Sequence, residues 1–265
     1  MSYVLLNALR NKNDEFYTTR ESVEDIFNNI IIDKEQFRDK IVYCPCDTDE
    51  SEFVKYFKEN KENLHLKDFI YTSNDFRDNE EIFNKSDIII TNPPFSLLIR
   101  YLYPLIRNKK FFIYCHISTL SIPIKEDIIN KKVFKINSNT INNTFKNENC
   151  DYTSIPTAFL TNMNIRELKN LSLYKKYNPD TAVFCEQVNE KILFIDKLKN
   201  IPIDYQGVIA VPETIYCENY LDRFEVIPFI ESDKYNKRHY REYSVRPIIN
   251  NKLKFPKALV KHKNI

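Results

Sequence analysis

A single glycine, Gly207, occurs in 265 residues, where ordinary usage of about 7% would supply roughly 19. Glycine reaches positive φ without strain and lets a ligand come close to the backbone. Its scarcity excludes folds that depend on glycine loops. The chain has no G-x-G-x-x-G dinucleotide fingerprint, no G-x-x-x-x-G-K-[ST] phosphate loop and no kinase glycine loop. Collagen-like and glycine-linker classes are excluded too. Any nucleotide-like cofactor must be held by turns built from other residues.

Apolar residues at 43% and charged residues at 29% suit an ordered, soluble chain. Asn, Ile and Lys are abundant, a bias that AT-rich codons explain and that accounts for part of the glycine deficit. The length suits one large domain, or a domain with a sizeable insert. No apolar run approaches the roughly 18 residues of a membrane span. The opening residues Met1 to Asn7 lack the basic-then-apolar pattern of a cleavable leader, so a cytoplasmic location is expected. Cysteines stand at 44, 46, 115, 150, 185 and 217. Only Cys44 and Cys46 are close, and one intervening residue is the wrong spacing for a zinc knuckle or redox pair. Structural thiols and no metal are expected. The four histidines are scattered, with no H-E-x-x-H or deaminase signature.

Hydrophobic spacing outlines alternating strands and helices. Residues 18–32 read as an amphipathic helix, with Thr18 and Glu21 as a capping box and Val23, Ile26, Phe27 and Ile30 at helical spacing. Lys40 to Cys44 is a strand-like run ended by Pro45, and a helix carrying Phe53, Val54 and Phe57 follows, capped by Asp49 with Glu52. Further strand runs lie at 68–73, 87–91 and 111–115, with a helix at about 96–107. Ile88, Ile89 and Ile90 in succession suit a parallel strand covered on both faces. This alternation predicts an α/β sheet with right-handed crossovers. Beyond about 120 the pattern loosens. Residues 137–150 hold six Asn and read as a loop, strand-like runs recur at 157–161, 207–211 and 224–230, and 175–179 reads as a helix end and turn. Gly207, just before a strand, reads as a turn residue. The expected division is 1–120 and 121–265.

The strongest local signal is Thr91-Asn92-Pro93-Pro94-Phe95, directly after the triple isoleucine. Successive prolines fix φ and remove two N–H donors, leaving carbonyls to accept. Asn92 adds a side-chain carbonyl at the edge where open α/β sheets place ligands, and Phe95 supplies a flat apolar ring. Two acceptors and a stacking face are what an exocyclic amino group on a planar base requires. A rigid turn is the plainer alternative.

These four residues match the [DNS]-P-P-[YFW] motif of S-adenosylmethionine-dependent amino N-methyltransferases. Asp14-Glu-Phe-Tyr-Thr-Thr19 looks like the cofactor-contacting segment ahead of the sheet in adenine methyltransferases. Tyr43-Cys-Pro-Cys-Asp47 stands where an F-x-G-x-G loop is usual, and can replace it if its turn avoids positive φ. With Phe159 to Met163, Lys176 to Pro179 and Tyr205 to Pro212 in the same order, the chain from about 13 to 249 resembles the EcoRI-type adenine-specific DNA methyltransferase family. The resemblance implies a Rossmann-like class I methyltransferase sheet with helices on both faces, and a less regular C-terminal target-recognition region. It implies S-adenosylmethionine as cofactor and a flipped adenine in double-stranded DNA as substrate. Asn92, Pro93, Pro94 and Phe95 would be catalytic, with Asn92 and the Pro93 carbonyl accepting the N6 hydrogens and Phe95 stacking on the base. Phe16, Tyr17, Thr18, Cys46, Asp47, Asp75 and Asn92 would line the cofactor, Asp47 taking its amino group and Asp75 its ribose hydroxyls. Helix capping explains Thr18 or Asp47 equally well, and a solvated turn explains Asp75.

One departure touches specificity. Where relatives carry an asparagine-rich run after the fourth strand, this chain has Cys115-His-Ile-Ser-Thr119, and His116 would face the target base or fill space. From Glu231 to Ile265 ten Lys/Arg stand against three Asp/Glu, a local +7 that leaves −5 elsewhere in a total of +2. Such a segment suits a polyanion, and Lys237, Arg238 and Arg241 are the expected DNA contacts. A monomer or homodimer acting on DNA, without membrane or metal, is the leading expectation. An RNA or protein-amide N-methyltransferase and a catalytically silent nucleic-acid-binding subunit are the alternatives.

Overall fold

Ile88, Ile89 and Ile90 lie in the parallel part of a six-stranded mixed sheet and are essentially sealed from solvent, as a doubly covered strand requires. The computed structural model describes residues 17–30, 33–93, 98–116, 122–137, 145–146, 152–153, 157–165, 170–185, 191–217, 219–231, 240–242 and 244–263. Two compact units result. One comprises Met1–Thr119 with Lys132–Glu167, the other Leu120–Lys131 with Leu168–Ile265.

The first unit contains, in chain order, β1 (Tyr17–Thr18), α1 (Arg20–Glu24) running into a π-helical turn over Asp25–Ile30, β2 (Ile41–Pro45) and α2 (Glu52–Asn60). Next come β3 (Asp68–Thr72), α3 (Glu80–Lys85), β4 (Ile88–Thr91), α4 (Leu98–Asn108) and β5 (Lys110–His116). β6 (Phe134–Asn137), β7 (Phe145–Lys146), β8 (Tyr152–Thr153) and β9 (Thr157–Thr161) complete it. Six strands form one sheet in the order β3-β2-β4-β5-β9-β6. β2 pairs in parallel with β3 and β4, and β4 with β5; β9 runs against both β5 and β6. The parallel pairings need long crossovers, which α2, α3 and α4 supply.

Phe27 explains how the entry segment docks. Its ring stacks on Tyr56 at 4.8 Å and meets Phe57 at 5.2 Å and Phe112 of β5 at 6.1 Å. Burying each such ring contributes about 2–3 kcal/mol. Of the helix expected at 18–32, α1 and its π-helical turn form over 20–30, while 31 and 32 lie outside the described residues; its N-cap is Thr19, which accepts from the Ser22 N–H, rather than Thr18. Thr18 is in β1. Ser51, not Asp49, precedes α2, because the Asp49 carboxylate is drawn to Lys58 and the Tyr71 hydroxyl. The Asn-rich stretch 137–150 is not wholly loop. Phe145 and Lys146 pair antiparallel with Thr18 and Tyr17, and the buried Phe145 ring meets Tyr114 at 5.6 Å.

The second unit contains α5 (Ile122–Ile129), β10 (Leu193–Phe194), β11 (Ile209–Pro212), β12 (Phe224–Val226), β13 (Phe229–Glu231) and β14 (Tyr240–Glu242). β15 (Ile248–Ile249), β16 (Lys252–Leu253) and β17 (Lys257–His262) follow. A mixed sheet runs β10-β11-β17-β12, over a core that includes Cys185, Ile192, Ala210, Val245, Ile249 and Leu259. The buried Lys125 of α5 donates to Glu213 Oε1 at 2.6 Å and Ser244 Oγ at 2.5 Å. Two expectations change here. The run 224–230 breaks into β12 and β13, and 175–179 ends no helix: Asn178 instead caps a 3-10 turn at Pro179–Thr181 by accepting from Asp180 N–H.

Six described residues other than glycine take positive φ: Asp39, Cys46, His65, Lys131, Asn250 and Asn251. Four are Asp, Asn or His, the types that tolerate that region best. Gly207 is not among them. Its requirement is steric, since a Cβ there would lie 2.7–2.8 Å from the Tyr205 ring and hydroxyl.

Candidate active site at the carboxyl edge of the sheet

Parallel pairing brings the carboxyl ends of β2, β3 and β4 to one edge. Thr91, fully buried, donates its hydroxyl proton to the Pro45 carbonyl at 3.0 Å, tying the end of β4 to the end of β2. The next residue, Asn92, is partly buried, and its Nδ2 donates to Thr18 Oγ1 at 3.1 Å. In this arrangement the amide nitrogen faces Thr18, which leaves Oδ1 as the side chain's acceptor. Pro93 is buried and lacks an N–H, so its backbone can only accept. Thr18 is buried beside the exposed Tyr17. The structure thus brings Tyr17, Thr18 and Asn92 together. Pro94, Phe95 and Phe16 lie outside the described residues.

Asp47 follows β2 in the same edge. Its Oδ2 is shut off from solvent and has no hydrogen-bond partner among the described residues, although the residue as a whole keeps some exposure. Burial pushes the carboxyl pKa up to about 7, against a hydrogen bond from the Ser51 side chain that lowers it. A carboxylate oxygen left unmatched in a low-dielectric site is unstable by itself and favours a cationic or N–H donor. The Asp47 N–H donates to the Thr72 carbonyl at 3.0 Å, and the Cys46 N–H to the Asn74 carbonyl at 3.1 Å. Both bonds pin the 44–47 turn onto the end of β3.

The condition set for a glycine-free replacement, a turn that avoids positive φ, is not met. Cys46 stands at φ 60, at a cost of about 1–2 kcal/mol for a residue with a Cβ. A cysteine occupies the conformation a glycine would take, and the two backbone bonds hold it there. Above it, Cys44 is buried and burial raises its thiol pKa well above the ordinary value, which keeps it a neutral apolar filler.

Asp75 lies beyond β3 and is engaged locally. Its Oδ1 accepts from the Arg77 N–H at 3.0 Å and its Oδ2 from the Arg77 guanidinium. His116 ends β5, its backbone opposite Thr157. Arg241 lies in β14 of the second unit, its backbone opposite Ile230. Lys237 and Arg238 lie outside the described residues. Among the described residues no group of His, Cys, Asp and Glu could hold a metal ion, and no helix is long and apolar enough to cross a membrane.

An open cavity of about 480 Å³ sits at the opposite edge of the sheet, lined by residues of 84–87, 106–110 and Asn162. The Lys109 ammonium there donates to the Asn84 and Ser86 carbonyls. None of the expected site residues lines it, so it is set apart from the carboxyl edge.

Two contributors escaped the sequence reading. Ser51 reads only as part of the segment leading into α2, yet its side chain turns to Asp47. Thr91 reads as the last strand residue, and only the fold shows that its hydroxyl closes the β2–β4 edge.

Comparison with known proteins agrees over nearly the whole chain. The family described as adenine-specific methyltransferase EcoRI matches residues 4–75 and 71–263. The Type II methyltransferase M.EcoRI of Escherichia coli is 31% identical, over 85% of this chain and 89% of its own length. The Type II methyltransferase M.MgeORF184P of Mycoplasma genitalium is 26% identical over 97% and 98%. The Type II methyltransferase M.MpnI of Mycoplasma pneumoniae is 25% identical over 83% of each chain. No solved structure matches.

Proposed function

The chain belongs to the EcoRI family of adenine-specific methyltransferases, and on that premise we propose that it methylates N6 of an adenine flipped from a short sequence in double-stranded DNA. We read its sheet as the Rossmann-like class I methyltransferase core and its second unit as the target-recognition part, in a cytoplasmic protein. The observation that carries the reading is the pairing of two features at one sheet edge: the Thr18-oriented Asn92 followed by Pro93, and the unmatched Asp47 oxygen.

The Asp47 oxygen fits the ammonium of S-adenosylmethionine. Tyr17, Thr18 and the Cys46 turn would line the same cofactor, with Phe16 beside them. Asp75 would take the ribose hydroxyls while keeping Arg77, since a carboxylate has about four acceptor sites. When bound, the cofactor supplies an electrophilic methyl group on a sulfonium.

Adenine N6 is a poor nucleophile because its lone pair is delocalised into the ring. Asn92 Oδ1 and the Pro93 carbonyl accept its two hydrogens, which favours a pyramidal nitrogen and directs the lone pair. Neither oxygen is basic enough to keep a proton, so the one lost after transfer passes to water. Phe95 stacks on the flipped ring and offsets part of the unstacking cost of a few kcal/mol. Lys237, Arg238 and Arg241 would hold phosphates or read guanine, and His116 would serve the target base.

The test is transfer of labelled methyl to duplex DNA, RNA and protein extract in parallel, with Asn92→Ala alongside. Label on DNA that falls about 100-fold or more in the variant supports the reading. Label on RNA or protein alone would move the activity to that substrate, and none on any would make the chain a silent binding subunit.

A further inference from the structure

The hairpin that closes the second unit carries a surface the site above does not use. β15 and β16 are joined by Asn250 and Asn251, both at positive φ, the geometry of a two-residue type I′ turn. Its stem is firm. Ile248 pairs with Leu253 and Ile249 with Lys252, the Lys254 N–H continues the ladder to the Pro247 carbonyl at 2.8 Å, and Val245 and Lys257 exchange two 2.8 Å bonds at the base. Ile249 and Val245 are anchored in the core cluster.

The outgoing arm is different. Leu253 is 61% exposed and Phe255 88% exposed, both on the short stretch between the turn and β17. Lys252, also exposed, and Lys254 alternate with them. From Ser244 to Ile265 the sequence has six Lys/Arg and no Asp or Glu. A lone exposed ring needs no explanation. Two large apolar side chains held out on a rigid, wholly cationic hairpin do, because the stem gives them no route to the core.

We propose that this hairpin, residues 246–257, is a second DNA-contacting element: Leu253 and Phe255 pack on the sugar–base wall of a groove while Lys252 and Lys254 neutralise flanking phosphates. The inference rests on the DNA reading above, and charge complementarity selects the duplex as occupant. Apolar wedges beside cationic side chains are a recurrent way of gripping DNA grooves, and a surface presented by a paired hairpin is bound with less ordering entropy than a loose tail.

Three variants test it, Phe255→Ala, Leu253→Ser and the double Lys252→Ala/Lys254→Ala, in the full chain. Leu253, Phe255 and Lys252 are exposed and Lys254 is half-buried, so the variants should fold; thermal melting and binding of S-adenosylhomocysteine check this. Expected is about a tenfold weaker duplex affinity for Phe255→Ala, and a salt slope shallower by about 1.8 for the double lysine variant. Methyl transfer by the unaltered protein is measured beside them. If that protein methylates DNA but all variants keep its affinity and salt slope, the hairpin proposal is overturned and the functional reading stands. If sedimentation instead shows the variants losing self-association, the occupant is a second copy of the chain and the DNA proposal falls. If the unaltered protein transfers no methyl group to DNA, the functional reading itself fails.

Discussion

Replacing Asp47 by Asn should make the free protein more stable and the cofactor bind more weakly. In the folded chain the carboxyl pKa stands at about 7 against an ordinary 3.8, because burial disfavours the charge and Oδ2 has no partner. A folded pKa above the unfolded one means stability fully present below about pH 3.8 and lost progressively as the pH rises to about 7. The displacement corresponds to at most about 4 kcal/mol withdrawn from the free protein at pH 8. An amide of the same shape carries no charge and escapes that loss, though it brings a donor that must itself be satisfied at about 1–2 kcal/mol. The expected net gain for Asp47→Asn is about 2 kcal/mol at pH 8, shrinking toward zero or below near pH 4. Urea unfolding of both proteins at pH 4, 6 and 8 reads this directly. Calorimetry with S-adenosylhomocysteine, which shares the amino-acid end, should show at least tenfold weaker binding by the variant at pH 8. The unaltered protein should also bind more tightly as the pH rises through 7, a dependence the variant lacks. A variant less stable than the parent at pH 8, or one that binds equally well, would refute the role given to the buried oxygen.

Other consequences are sharper for being local. Cys46→Gly should stay within about 1 kcal/mol of the parent, with left-handed strain relieved against added chain entropy, while Cys46→Val should cost about 2 kcal/mol or more in chemical denaturation. Thr18→Val removes the acceptor that orients Asn92; kcat should fall about tenfold with little change in duplex affinity, read by single-turnover and binding assays. Tyr114→Phe should be neutral or stabilising by about 1 kcal/mol in thermal melting, because the buried Tyr114 hydroxyl has no partner among the described residues and burial holds its pKa well above the ordinary value.

The parallel strands were legible because apolar runs such as 88–90 have one stable use in an α/β chain, burial on both faces. The Asn-Pro-Pro-Phe segment was legible as chemistry because its residue types, rather than its periodicity, carry the signal. What escaped was set by tertiary placement. β1 and β7 are two residues each, too short to have a period, and exist because Phe145 packs on Tyr114. β17 was missed because Lys257 and Lys261 interrupt its pattern, although Ala258, Leu259 and Val260 are buried. Asp47 and Asp75 look alike as turn aspartates, yet one has a solvent-shielded oxygen with no hydrogen-bond partner among the described residues and the other is clasped by Arg77. No local rule separates them. The glycine deficit was half informative: it excluded phosphate loops, but the positive φ it argued against is present at Cys46.

The central claim is that Asn92 and Pro93 present an adenine N6 for methylation. Duplex DNA incubated with the protein and trideuteromethyl S-adenosylmethionine, then digested to nucleosides and weighed by mass spectrometry, tests it most directly. The account predicts trideuterated N6-methyldeoxyadenosine that disappears with Asn92→Ala. Label on cytosine, on RNA or on no nucleoside at all would contradict it.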